Sequence, residues 1–181
     1  MTVRATLLAL ALATMVPATA VAADKAAPPF ALKDINGKNV DLAEKYGKDV
    51  VFLNFFATWC APCQAELPIL QRFHEKYAEK GLSVVVVSID DPKSAAKVKP
   101  LIKEGKYTFP VLLDTQTRAI SLYNPKKVVP FSVVIDRAGN IHQQKFGFQP
   151  GDEIKLDETL QSLLGIEKAP APAPADAPAT N

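Results

Sequence analysis

The sequence predicts an α/β fold, a mixed central sheet with helices on both faces and a β-hairpin in front of it. Three observations predict it. Val50–Phe56 and residues 82–89 are apolar, β-prone runs of the length and character of strands buried on both faces. Each is followed by a segment whose apolar residues recur at helical spacing, so strand and helix alternate. The chain then closes with a strand pair and a helix, which adds antiparallel strands to a parallel core.

The elements follow in order. Residues 30–34 and 38–42 alternate apolar and polar around Asn36-Gly37, a strong signal for a two-residue hairpin turn. Residues 64–79 carry Leu67, Leu70, Phe73 and Tyr77 on one helical face, with a kink expected at Pro68 and an end at Gly81. Val84 to Val87 form the heart of the second buried strand, and Phe55-Phe56 belong to the core of the first. Residues 93–104 predict a helix broken or kinked at Pro100 and stopped by Gly105. A short strand at 109–113 and a short helix at 115–123 come next. Phe131–Ile135 and Ile141–Phe146 read as strands joined by a tight turn at 137–140. Residues 151–164 form an amphipathic helix with Ile154, Leu156, Leu160, Leu163 and Leu164 facing inward. No internal repeat is visible.

The two ends differ from the middle. Arg4 is the only charge before Asp24, an apolar run follows it, and Ala20-Val21-Ala22 supplies a small–x–small cleavage pattern. Residues 1–22 are therefore expected to be a signal peptide. The competing reading, an uncleaved anchor, needs about 20 apolar residues, and Pro17 interrupts the run. Residues 168–181 are almost all Ala and Pro and predict an extended tail. With residues 23–29 as a linker, the domain spans 30–167.

Composition narrows the function. Of 181 residues, 21 are Lys or Arg and 19 are Asp or Glu, a net +2 that makes no electrostatic case for nucleic acid. Two cysteines are too few for a disulfide framework or a four-ligand zinc site, and neither a metal nor a cofactor is expected. What remains is one local dithiol, Cys60 and Cys63.

That dithiol sits where a buried strand hands over to a helix. Unpaired N–H groups and the positive end of the helix dipole favour a thiolate on Cys60, the form that attacks a disulfide. Cys63, three residues on, shares its helix face and lies within bridging distance. Pro62 suits the first turn, where its missing N–H costs nothing. The alternative is a structural bridge, but so short a loop removes little chain entropy and stabilises weakly. His74 and His142 have no ligand-like companions and read as surface residues, and Lys126-Lys127 as a solvated turn.

Val51-Phe52-Leu53-Asn54-Phe55-Phe56-Ala57-Thr58-Trp59-Cys60-Ala61-Pro62-Cys63, followed by Glu66-Leu67-Pro68, resembles the thioredoxin superfamily. Within it, the chain is similar to the TlpA/ResA group of extracytoplasmic thiol–disulfide oxidoreductases over roughly residues 30–164. The leading hairpin and the extra strand–helix unit between Asp90 and Leu113 fit that group better than minimal thioredoxin. The resemblance implies a thioredoxin fold and a periplasmic or otherwise extracytoplasmic enzyme that reduces protein disulfides, often in cytochrome c maturation. It also implies a disulfide-containing protein substrate, a membrane thiol reductase as electron donor, and no membrane anchor after cleavage.

Further residues follow from the resemblance. Val129-Pro130 matches the family's cis-proline, which puts the backbone of Val129 where an extended substrate can pair with it. Spacing alone would allow an ordinary trans proline opening a strand. Trp59 is expected as a partly exposed flap over the dithiol. Glu66 is expected to move protons for Cys63, because Asn54 stands where thioredoxin carries a buried acid and cannot titrate.

Two rival chemistries remain. A thiol peroxidase needs Pro and Thr seven and three residues before its reactive Cys. Those positions hold Leu53 and Ala57 for Cys60, and Phe56 and Cys60 for Cys63. A disulfide-forming oxidant usually carries a His between its cysteines, where this chain has Ala61-Pro62.

Overall fold

The computed structural model describes residues 25–166. The expected leader and the Ala/Pro tail lie outside them. Strands β1 (Ala31–Lys33) and β2 (Asn39–Asp41) form the expected antiparallel hairpin. Asp34 closes its turn by accepting the N–H of Asn36 and of Lys38, while Gly37 takes the positive φ that a side chain would resist. The hairpin is a sheet of its own, and its tip docks on the main sheet where Ile35 N–H donates to the Val111 carbonyl.

The main sheet has five strands in the order β5-β4-β3-β6-β7. Its centre is β3 (Val50–Phe56), buried at every position. β4 (Leu82–Ser88) runs parallel to β3 and β5 (Val111–Leu113) parallel to β4, while β6 (Phe131–Ile135) and β7 (Ile141–Phe146) are antiparallel. Side chains alternate across β3 as a strand requires. Asn54 points to the helix α1 (Ala61–Tyr77), and Phe55 packs against Tyr123 of α3 (Arg118–Tyr123). Helices therefore cover both faces. α4 (Asp152–Leu164) lies beside α1, joined to it by Lys76 and Tyr77, which both donate to Asp157.

The structure corrects several boundaries. α1 starts three residues earlier than expected, since Pro62 needs no N–H partner in a first turn, and Pro68 lies inside it. The helix expected to break or kink at Pro100 instead changes character before it. A 3-10 turn at Ala95–Lys97 gives way to α2 (Val98–Glu104), which leaves Pro100 in the first turn, where it is tolerated. α3 begins at Arg118 rather than 115 because the buried Asp114 carboxylate accepts the N–H of Arg118 and Ile120. Ile154 is 63% exposed, not inward-facing. It lies two residues, about 200°, from Leu156 around the helix, whereas Leu160, Leu163 and Leu164 cluster near Leu156.

Residues 25–29, expected as linker, are tied to the domain. Ala27 is buried and donates to the Gly139 carbonyl, and the Tyr123 hydroxyl donates to the Pro28 carbonyl. His74 is also not a free surface residue. It is half-buried, its ring stands edge-on to Phe109, and burial lowers its pKa. His142 is exposed, as expected.

Candidate active site

All the expected site residues belong to the pole of the sheet where β3 ends. β3 carries the chain out of the core at Phe56, and residues 57–59 turn it into α1. Cys60 is the N-cap of that helix, with extended backbone angles and a sulfur that accepts the Cys63 N–H at 3.3 Å. The sulfur thus does the work usually given to a Ser or Asp oxygen at this position. Cys60 and Cys63 are joined as a disulfide with a Cα–Cα distance of 5.2 Å. Cys60 is the more accessible, yet only 6% exposed against 1% for Cys63.

One helical turn after Cys63, Glu66 faces the same way, into the core, and is 4% exposed. Its Oε2 accepts a hydrogen bond of 3.0 Å from Nδ2 of Asn54. Burial pushes its carboxyl from the usual 4.5 up to about 7. The Asn54 bond and the Lys145 charge pull the other way, and Asp152 adds a smaller push upward.

The Val129-Pro130 bond is cis. Phe131 pairs with Phe55, so continuing the ladder sets Pro130 and Val129 opposite Phe56 and Ala57, at the strand end from which the cysteines emerge. Among the described residues neither the N–H nor the C=O of Val129 has a backbone partner. Trp59 is 68% exposed and stands to the α2 side, where it walls an open groove with Lys97, Pro100 and Leu101.

Sequence reasoning missed the group that shapes the loop before Cys60. Asp90, fully buried just beyond β4, accepts the Thr58 N–H at 2.9 Å, the Thr58 hydroxyl at 2.6 Å and the Ser88 hydroxyl at 2.8 Å. Gln64 reaches back from α1 to the Thr58 carbonyl at 2.6 Å. Thr58 is thereby held from both sides, and Cys60 N–H completes the turn on the Ala57 carbonyl. An acidic residue directly after a buried strand was the only signal in the sequence. Lys145 and Asp152, whose charges reach Glu66, were missed for want of any local pattern.

A dithiol at a helix start beside a cis-proline strand and a buried acid is the arrangement of a disulfide-exchange enzyme, and the comparisons agree. Residues 23–144 match the model of the AhpC/TSA family. The chain belongs to that family. Its relatives include the thiol-disulfide oxidoreductase ResA of Bacillus cereus, 35% identical over 72% of this chain and 73% of that protein. ResA of Geobacillus kaustophilus is 33% identical over 76% of each chain. A thioredoxin-family thiol:disulfide interchange protein from Chlorobium tepidum superposes with a TM-score of 0.69 at 28% identity, covering 81% of this chain and all of that one. This AhpC/TSA member is accordingly a thiol–disulfide oxidoreductase of ResA type with a thioredoxin fold. The peroxidase pattern is missing within it: Leu53 and Ala57 are buried apolar residues with no hydroxyl to offer Cys60.

The buried acid makes a stability prediction. The Glu66 carboxyl holds its proton more tightly folded than unfolded, so between pH 4.5 and about 7 the folded state binds more protons. Its contribution is complete below pH 4.5 and is lost as pH rises through about 7, a change of roughly 3 kcal/mol. Urea unfolding of the oxidised protein should show this decline, and Glu66→Gln should remove it. Equal slopes in the two proteins would mean that Glu66 titrates as an ordinary surface acid.

Proposed function

We propose that the protein is an exported reductant of protein disulfides, with Cys60 as the attacking thiol, Cys63 as the resolving thiol and Glu66 as proton acceptor. The observation that carries the reading is the pairing of an N-capping Cys60 with a carboxyl buried behind Cys63. Once the disulfide is reduced, the Cys63 N–H and the helix terminus stabilise a thiolate on Cys60. That thiolate attacks one sulfur of the substrate, forms a mixed disulfide and expels the other sulfur as thiolate. Cys63 then gives its proton to the Glu66 carboxylate, attacks Cys60 and releases the second substrate sulfur. The Cys60–Cys63 bond has formed, the substrate bond has broken, and two electrons have moved to the substrate. The free backbone of Val129 suits an extended substrate segment laid beside Pro130, and Trp59 offers it an apolar surface.

What surrounds the sulfurs supports the reducing direction. A strong oxidant needs a stabilised reduced form. Ala61-Pro62 place no cation between the cysteines, and Glu66 adds an acid behind them. The export reading rests on residues 1–22, and no helix among the described residues is long and apolar enough to cross a membrane. Cytochrome c maturation, with electrons from a membrane thiol reductase, is the setting that the ResA likeness favours.

Equilibration with glutathione should give a potential below about −200 mV, and a value near −120 mV would make the protein an oxidant instead. Cys63→Ser should trap a mixed disulfide with substrate while Cys60→Ser should not. Trapping by Cys60→Ser alone would exchange the two roles. Mass spectrometry of the protein from its native cells should find Ala23 as the first residue, whereas retained Arg4 would indicate an uncleaved leader.

A further inference from the structure

Each reductive turnover leaves a proton on Glu66 beneath a closed disulfide, and that proton must leave before the acid can serve again. Glu66 lines a cavity between α1, β6, β7 and α4, and neither cysteine lines it. Its water-accessible volume is about 60 Å³, against roughly 10–15 Å³ for a single water. Water can therefore approach the carboxyl from the side away from the sulfurs.

The lining carries a specific charge arrangement. Lys145 projects from β7 and forms an ion pair with Oδ1 of Asp152, in the first turn of α4. The Oδ2 atom of Asp152 is fixed separately by the Gln149 N–H at 2.7 Å. Glu153 and Lys155 of α4 also line the cavity, with Glu153 engaged by the Gly151 N–H. β3 and β6 present only neutral polar groups to Glu66, namely Asn54 and Ser132.

We propose that the Lys145–Asp152 ion pair in this cavity controls protonation of Glu66, as two positioning residues for disulfide exchange. The inference rests on Glu66 being the proton acceptor for Cys63. Lys145 favours the Glu66 carboxylate and Asp152 opposes it, so in the intact pair each field partly offsets the other. Removing either partner unbalances them in opposite directions. A purely structural ion pair would instead weaken the protein in the same sense whichever half was removed.

The test is reduction of a model disulfide by the full chain from pH 5 to 9, together with 13C NMR titration of the Glu66 carboxyl in the oxidised protein. Lys145→Gln leaves Asp152 unopposed and should move both inflections to higher pH, by roughly half a unit or more. Asp152→Asn frees the Lys145 charge and should move them to lower pH by a similar amount. The double variant should return close to the parent, and Lys145→Arg should keep the parent profile. High salt should shrink every shift. Single variants that move the inflections in one common direction, or not at all, would overturn the proposal. Glu66→Gln separates the two layers. If its exchange profile superimposes on the parent's, the acceptor role fails, while the NMR titration still reads whether Lys145 and Asp152 act on the carboxyl.

Discussion

β3 is buried at all seven positions, and Asn54 is its one polar side chain. In the core of a five-stranded sheet such a group has no water to bond, and leaving it unpaired costs about 1–3 kcal/mol. Nδ2 of Asn54 is satisfied by Glu66, and through this bond the centre of the sheet is joined to the first turns of α1. Oδ1 of Asn54 has no partner among the described residues. The pair therefore adds little stability, because two apolar residues of similar shape would fill the same space without a desolvated acid. A Glu66 carboxyl that titrates near neutral pH is the consequence of that placement, one turn behind Cys63.

The same pole gathers several strand ends, each with its own constraint. β3 and β4 run parallel, so the loop carrying Thr58 and Asp90, two residues beyond the end of β4, emerge side by side. Asp90 takes up both the N–H and the hydroxyl of Thr58, and the turn into Cys60 is fixed by a buried carboxylate rather than by the cysteines. β6 runs the other way and begins at this pole, which brings Pro130 to the dithiol. Pro130 therefore owes its place to the antiparallel pairing of β3 with β6 and not to the CxxC spacing.

Much of this was legible in the sequence. The Asn36-Gly37 hairpin, the two buried strands and the dithiol at a strand-to-helix junction are local patterns, and local patterns survive without knowledge of the fold. The misreadings were also local in origin. Pro100 reads as a helix break or kink because its distance from the helix start is set by the preceding 3-10 turn, which no local pattern reveals. Ile154 reads as core by hydrophobicity alone, yet its angular position places it with the solvent face.

Residue type and spacing by themselves determined the order of elements and the reactive pair, while Glu66 and Pro130 were marked only by the family resemblance. Only the tertiary structure decided what those groups feel. The Asn54–Glu66 bond, the grip of Asp90 on Thr58 and the Lys145–Asp152 pair in the Glu66 cavity all join residues from different elements. The reason is physical: a thiol or carboxyl acquires its reactivity from burial and from the charges around it. Those depend on which strand ends and helix faces the folded sheet brings together, and no local spacing encodes them.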